Sequence, residues 1–167
     1  MKISAKYASR TAVLAAAAVA LGFAESCLPP VVPIPGVKIG LGNMAVLIAL
    51  YCVGVPRTIS VALIKPILCA LLFSGFSGLI YSFSGAAASL AAMLLLKKTD
   101  KFSVVGISCA GGIFHNIGQL AAAYLMLGRG ALGYFPILTG IGAAVGIVTG
   151  IGADIVIRKG EVVFGKK

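Results

Sequence analysis

The run Phe114-His115-Asn116-Ile117-Gly118-Gln119 lies in the middle of a long apolar stretch that extends from about Val104 to Leu127. A stretch of this length suffices for a membrane-spanning helix, which takes about 20 apolar residues. Three polar side chains near its centre, including the single histidine of the chain, are costly at membrane depth and mark either function or helix contact. The stretch therefore predicts a membrane helix that carries a polar cluster.

The composition of the whole chain indicates the same class of protein. Of the 167 residues, 60% are hydrophobic and only 11% are charged, whereas a soluble domain carries roughly 25% charged residues. The net charge is +10, but the basic residues fall in short clusters between apolar runs rather than in one patch. That distribution indicates membrane orientation rather than nucleic-acid binding. We expect one integral membrane domain over residues 1–167.

Six apolar runs can be placed along the chain, and they predict an all-α bundle of six transmembrane helices. The expected spans are about Ser9 to Leu28, Leu41 to Val55, Ile59 to Ile80, Gly85 to Leu96, Val104 to Leu127 and Tyr134 to Ile157. The second and fourth runs are shorter than the roughly 20 residues that a spanning helix needs. Each of these two is either a re-entrant segment or a span that includes flanking residues.

The lysines and arginines support this count and set the orientation. With the amino terminus in the cytoplasm, eleven of them fall in cytoplasmic segments, Lys38 and Arg129 fall outside, and Lys65 lies within the third span. An excess of Lys and Arg on the cytoplasmic side is the usual bias of membrane proteins. We therefore expect both termini in the cytoplasm.

The first span resembles a secretory signal, because Lys2, Lys6 and Arg10 precede an apolar run. A lipid-modified Cys27 would be one version of such a signal, but Glu25 and Ser26 before it make a poor processing site. Five further apolar runs follow, so we expect the segment to be retained. The four cysteines lack metal-ligand spacing, and we expect small buried side chains and no metal site.

Small residues recur every four positions in two of the spans. The first ladder is Ala12, Ala16, Ala20 and Ala24; the second is Gly142, Gly146 and Gly150. Such spacing lets helix backbones approach closely in a membrane. Two interpretations stay open: the ladders pack within this bundle, or one of them, Ala12, Ala16 and Ala20 in particular, docks a separate membrane subunit.

The connection between the first two spans has a proline-rich first half, which restricts the backbone, and a glycine-rich second half, which permits tight turns. Residues 28–43 contain four prolines, which disfavour helix, followed by three glycines. This external loop is either a lid over an outward-facing pocket or an ordinary extended connection. Lys38 is its single charge, and Glu25 lies near the outer end of the first span, so an ion pair between them is geometrically feasible.

His115 lies some 17 Å along the fifth span at about 1.5 Å per residue, which is near mid-bilayer. Gln119 is one turn further on the same face, and Asn116 lies about 100° around the helix. These side chains either join helices by hydrogen bonds or line a ligand cavity. The chain lacks a phosphate-binding loop, a paired-aspartate motif and a catalytic triad, and it has four acidic residues in all. We expect no enzyme activity and no cofactor.

Several of these segments together resemble one membrane protein family. The segments are Phe23-Ala24-Glu25-Ser26, Pro35 to Asn43, Tyr81-Ser82-Phe83-Ser84-Gly85 and the run 114–119. They resemble the Gx transporter family, which is also labelled heptaprenyl diphosphate synthase component I. That family is similar to the S components of energy-coupling factor (ECF) transporters, six-helix proteins of the bacterial cytoplasmic membrane that capture a vitamin-like molecule.

The resemblance implies specific partners and site residues. The partners would be a transmembrane coupling subunit, two ATPase subunits, a small-molecule substrate and membrane lipid. The implied motif positions for the substrate are Glu25, Lys38, Asn43, His115, Asn116 and Gln119. The resemblance also implies an arginine in the region where this chain has Lys65. The other family label suggests a different role, a membrane accessory component of a polyprenyl diphosphate synthase.

Overall fold

The computed structural model describes residues 5–29, 38 and 40–164, and within these residues the chain is helical and has no strand. The six α-helices are α1 (Ala5–Ser26), α2 (Asn43–Cys52), α3 (Val55–Cys69), α4 (Gly75–Lys97), α5 (Val104–Leu127) and α6 (Phe135–Phe164). A π-helical turn, Ala70–Ser74, joins α3 to α4, and a 3₁₀ turn, Arg129–Tyr134, joins α5 to α6.

Four helical segments of the described chain are long and apolar enough to cross a membrane: Tyr7–Ser26, Val55–Lys97, Val104–Leu127 and Arg129–Lys159. The second of these contains both α3 and α4, which pack against each other. Helix α2 is not among them because its ten residues extend only about 15 Å, half the thickness of the hydrocarbon core. The structure thus supports a multi-pass membrane protein, while the predicted count of six spans stays a prediction.

The boundary between the predicted third and fourth spans was misplaced. Gly75 has a φ of +65°, in the left-handed region that favours glycine, and it ends the π-helical turn. Helix α3 and the π-helical turn that follows it therefore end at Ser74, whereas the predicted third span ended at Ile80. Helix α4 begins ten residues before the predicted Gly85, which makes it 23 residues long instead of a short span.

Helix α2 is a core element. Its central residues Ala45, Val46, Leu47, Ala49 and Leu50 are buried, and the helix packs against α1, α3 and α6. Because α2 is surrounded in this way, its start at Asn43 and the residues just before it are held inside the bundle.

The glycine ladder of α6 packs inside the bundle, as one of the two interpretations predicted. A Cβ added at Gly112 of α5 would lie 2.1 Å from the Gly142 carbonyl oxygen, and one at Gly146 would lie 2.7 Å from the Cys109 Cα. The two backbones are therefore in direct contact, which only small residues permit. The ladder is used within the chain and is not free for a partner.

The alanine ladder of α1 faces the other way. Ala12, Ala16, Ala20 and Ala24 are all exposed, whereas Ala18 of the same helix is fully buried. The described part of the chain thus leaves one smooth face of α1 uncovered.

We expect Gly112→Ala to lower the thermal midpoint of the purified protein in detergent. The added methyl group would force α5 and α6 apart, and overpacking of this kind costs about 1–3 kcal/mol. Gly140→Ala is the matched control, since Gly140 is exposed with nothing within 4 Å of an added Cβ. Alanine favours helix over glycine, so the control should leave the midpoint unchanged or raise it. Equal midpoints for the two variants would contradict the close contact.

Candidate functional site

A small polar cavity lies inside the apolar bundle, where the end of α1 meets α3, α4 and α5. Its volume is about 10 Å³, room for roughly one water molecule. The lining residues are Gly22, Glu25, Lys38, Lys65, Pro66, Cys69, Ser82 and His115. Three of the predicted site residues, Glu25, Lys38 and His115, therefore border one cavity.

Glu25 fixes the segment that precedes α2. Its carboxylate lies on the last turn of α1, is 5% exposed and accepts a hydrogen bond from the backbone N–H of Gly40. Gly40 has a φ of +97°, and a Cβ there would lie 3.0 Å from the His115 Cδ2. A glycine is thus required both for the backbone conformation and for the close approach to the imidazole.

Lys65 is the functional candidate that the sequence interpretation missed. Its side chain is 6% exposed, and its Nζ donates a hydrogen bond to the Asn43 Oδ1 over 3.3 Å. A Cβ at Gly42 would lie 2.5 Å from the Lys65 Cε, so the stem of the lysine passes against the backbone before α2. The signal in the sequence was a lysine within an apolar span, a position that membrane proteins reserve for function or pairing.

His115 and Gln119 lie one turn apart on α5, 2% and 0% exposed. The Gln119 Oε1 accepts a hydrogen bond from the Lys38 backbone N–H over 3.3 Å. The Gln119 Nε2 has no hydrogen-bond partner among the described residues. Buried polar atoms without partners are rare and call for a specific cause, such as a ligand.

Close packing of α4 positions this pair. A Cβ at Gly85 would lie 2.7 Å from the His115 Cε1, and one at Gly118 would lie 2.5 Å from the Ser84 carbonyl oxygen. The glycines of α4 and α5 therefore bring the two helices together and restrict the imidazole to its position beside the cavity.

Asn116 occupies a different place from its neighbours. Its Nδ2 donates a hydrogen bond to the Leu138 carbonyl oxygen of α6 over 2.6 Å, and Asn116 does not border the cavity. The helix-joining interpretation of the polar run therefore applies to Asn116. Asn43 and Gln119 are likewise absent from the lining, but each bonds a residue that belongs to it.

One aromatic ring stands beside the Lys38 side chain, and a second ring packs against the first. The Lys38 Nζ lies 4.9 Å from the centroid of the Phe73 ring, and Phe73 meets Phe23 edge to face at 5.5 Å. Phe73 belongs to the π-helical turn, a kind of irregularity that is frequent at functional sites. The ammonium is held by a cation–π contact, worth about 0.5–1 kcal/mol where exposed.

The cavity is lined by charged and polar side chains from several helices. Within residues 5–29, 38 and 40–164, no group of three or more His, Cys, Asp or Glu side chains is placed to hold a metal ion. What the cavity presents is two ammonium groups, one carboxylate and an imidazole. Such groups hold a polar ligand by charge and hydrogen bonds.

A second, larger recess of about 450 Å³ lies among the end of α4, the start of α5 and the second half of α6. Three of its four charged lining residues are already engaged. Arg158 forms a 2.8 Å ion pair with Asp154, and the Lys97 Nζ bonds the Leu50 carbonyl oxygen and lies over the Tyr51 ring. The larger recess therefore offers a ligand fewer free polar groups than the small cavity.

Comparison with known proteins yields one match. The model of the family described as heptaprenyl diphosphate synthase component I matches residues 14–156. The chain belongs to this family. No curated protein and no solved structure matches the chain. The region matched by the heptaprenyl diphosphate synthase component I family includes every residue that borders the small cavity.

Proposed function

We propose that this member of the heptaprenyl diphosphate synthase component I family is the substrate-capture subunit of an ECF-type transporter. The observation that carries the proposal is the polar cavity bordered by Glu25, Lys38, Lys65 and His115 within an otherwise apolar bundle. Groups of this kind are costly in a membrane protein and are kept where they serve a ligand or pathway. The ligand is a small vitamin-like or cofactor-precursor molecule taken from outside the cell.

The orientation follows from the charges. In this proposal the chain crosses the bacterial cytoplasmic membrane six times, the crossing that contains the short helix α2 includes residues that flank it, and both termini are cytoplasmic. The excess of Lys and Arg in the segments assigned to the cytoplasm supports this arrangement. The cavity then lies in the half of the bundle that faces outward.

Entry of a ligand requires movement of the segment at Lys38 and Gly40, because a cavity of about 10 Å³ holds roughly one water. Two hydrogen bonds hold that segment, from the Lys38 N–H to Gln119 and from the Gly40 N–H to Glu25. When the segment moves away, both side-chain acceptors are released. The Gln119 amide then contacts the ligand in place of the backbone.

Release of the ligand into the cell is driven by other subunits in this proposal, because the chain has no phosphate-binding loop of its own. Ala12, Ala16 and Ala20 form the docking face for the coupling subunit, which joins the ATPases. Their exposure supports this assignment, since a stripe of small residues lets a partner helix approach closely. The chain itself is not an enzyme.

The family description supports a second candidate, a membrane accessory component of a heptaprenyl diphosphate synthase. The larger recess, which contains Lys97 and Arg158, would be the place for a diphosphate. Recognition of that group favours several free Arg or Lys side chains, whereas both of these are engaged with Leu50 and Asp154. We therefore rank this candidate second.

Purification of the tagged chain from its own host under mild detergent tests the proposal. We expect a membrane coupling subunit and ATPases to co-purify, together with a small molecule that native mass spectrometry detects. Recovery of a prenyl synthase in place of ATPases would establish the second candidate and contradict the first.

A further inference from the structure

The charges around the small cavity do not balance. Lys38 and Lys65 each contribute a positive charge, and Glu25 contributes the single negative charge among the lining residues. The remaining lining residues are neutral, apart from His115, which can only add positive charge. Burial of an unpaired charge is unfavourable, so proteins pair such charges or avoid them. With these residues in their ordinary charge states, the site therefore has a formal excess of one positive charge.

Lys65 carries this excess with few partners. An ammonium group has three N–H donors, and within the described chain its hydrogen-bond acceptor is the neutral Asn43 Oδ1 at 3.3 Å. Lys38 has the Phe73 ring beside its ammonium group, and Glu25 bonds the Gly40 backbone. Lys65 is a buried cation that forms no ion pair within the described chain, so it retains N–H donors for a further acceptor.

Two neutral amide donors near the cavity lack partners in the described part of the chain, and one of them belongs to Asn43, which bonds Lys65. The Asn43 Nδ2 and the Gln119 Nε2 are buried and have no hydrogen-bond acceptor among the described residues. A Cβ at Gly40 would lie 3.1 Å from the Asn43 Nδ2 and 3.0 Å from the His115 Cδ2, which shows that Asn43 and His115 converge there. A group that satisfies these atoms must be rich in acceptors.

We infer that the ligand of this site is a small organic monocarboxylate whose carboxylate pairs with Lys65 and accepts hydrogen bonds from the neighbouring amides. This inference rests on the proposed capture function and names its ligand class. A phosphate monoester carries a charge of about −1.5 to −2 at neutral pH, more than the single excess charge. A diphosphate exceeds it further, so the cavity does not suit a prenyl diphosphate.

Acetate and acetamide form a matched pair of probes, since they share shape and differ in charge. We expect acetate to raise the thermal midpoint of the purified chain above that in chloride of equal ionic strength, and acetamide to leave it unchanged. In Lys65→Met the rise with acetate should disappear. An equal response to both probes, no response to acetate, or a response that persists in Lys65→Met would overturn the inference.

The stability of the empty protein gives a second measurement that needs no ligand. Glu25→Gln leaves two cations unbalanced, whereas Lys65→Met leaves Glu25 with Lys38 and no excess charge. The midpoint should fall further for Glu25→Gln than for Lys65→Met. Equal falls, or a larger fall for Lys65→Met, would show that Lys65 is a structural partner of Glu25.

These outcomes separate the inference from the function on which it rests. If a neutral or cationic molecule co-purifies together with the ATPases, capture stands and the monocarboxylate assignment fails. If acetate stabilises through Lys65 but a prenyl synthase co-purifies, the anion site stands and the transport role fails.

Discussion

Ala16→Leu should abolish uptake of the ligand and leave its capture intact. Ala16 is in the middle of the exposed ladder of α1, where a larger side chain would hold a partner helix away. Overpacking costs about 1–3 kcal/mol, and about 1.4 kcal/mol is a tenfold loss of affinity. The measurement is recovery of the coupling subunit and ATPases with the tagged chain, with uptake followed in cells.

Ala87→Leu provides the matched control, since Ala87 is an exposed alanine of α4. It adds the same bulk to another outward face of the bundle and should leave partner recovery and uptake unchanged. Full recovery of the partners with Ala16→Leu would remove the docking role from α1. Equal losses for both variants would point to a general packing defect instead.

Gln119→Met should weaken ligand capture strongly with little effect on folding. The Gln119 side chain is completely buried, and its Nε2 has no partner in the described chain. Methionine has a similar length and no N–H group, so the substitution removes a buried donor that lacks an acceptor. Its acceptor for the Lys38 N–H is also lost. We expect a ten- to hundredfold loss of affinity, since an unpaired buried polar group costs about 1–3 kcal/mol.

Ser108→Ala is the complementary control on the same helix. Its hydroxyl lies 3.3 Å from the Thr149 hydroxyl and joins α5 to α6, away from the cavity. This variant should lower the thermal midpoint and preserve binding of the co-purified ligand, the reverse of Gln119→Met. If Gln119→Met lowers the midpoint as Ser108→Ala does and retains the ligand, Gln119 only joins parts of the fold.

The predicted spans succeeded where the apolar runs had clear ends. The runs near α1, α5 and α6 correspond to helices of the structure, because length and hydropathy decide whether a segment can be a membrane helix. The third and fourth runs were misjudged at Gly75, since glycine occurs within membrane helices as well as at their breaks. Hydropathy does not show whether a given glycine continues a membrane helix or breaks it.

The candidate site was predictable in part. Glu25 and His115 stood out as polar residues within or beside apolar spans, and they border one cavity. Asn116 stood out for the same reason but bonds Leu138 on α6. The sequence does not distinguish His115 from Asn116, because the composition of a helix does not determine which of its faces points toward which neighbouring helix.

From its sequence alone, the chain is determined to be a multi-pass helical membrane protein with a few polar side chains at membrane depth, because transfer of apolar segments into lipid depends on composition. Only the tertiary structure decides that Lys65 joins Glu25 and His115, and that the glycine ladder faces inward while the alanine ladder stays uncovered. These pairings connect residues far apart in the chain. They depend on how each helix is rotated against its neighbours, which close backbone packing at glycine determines.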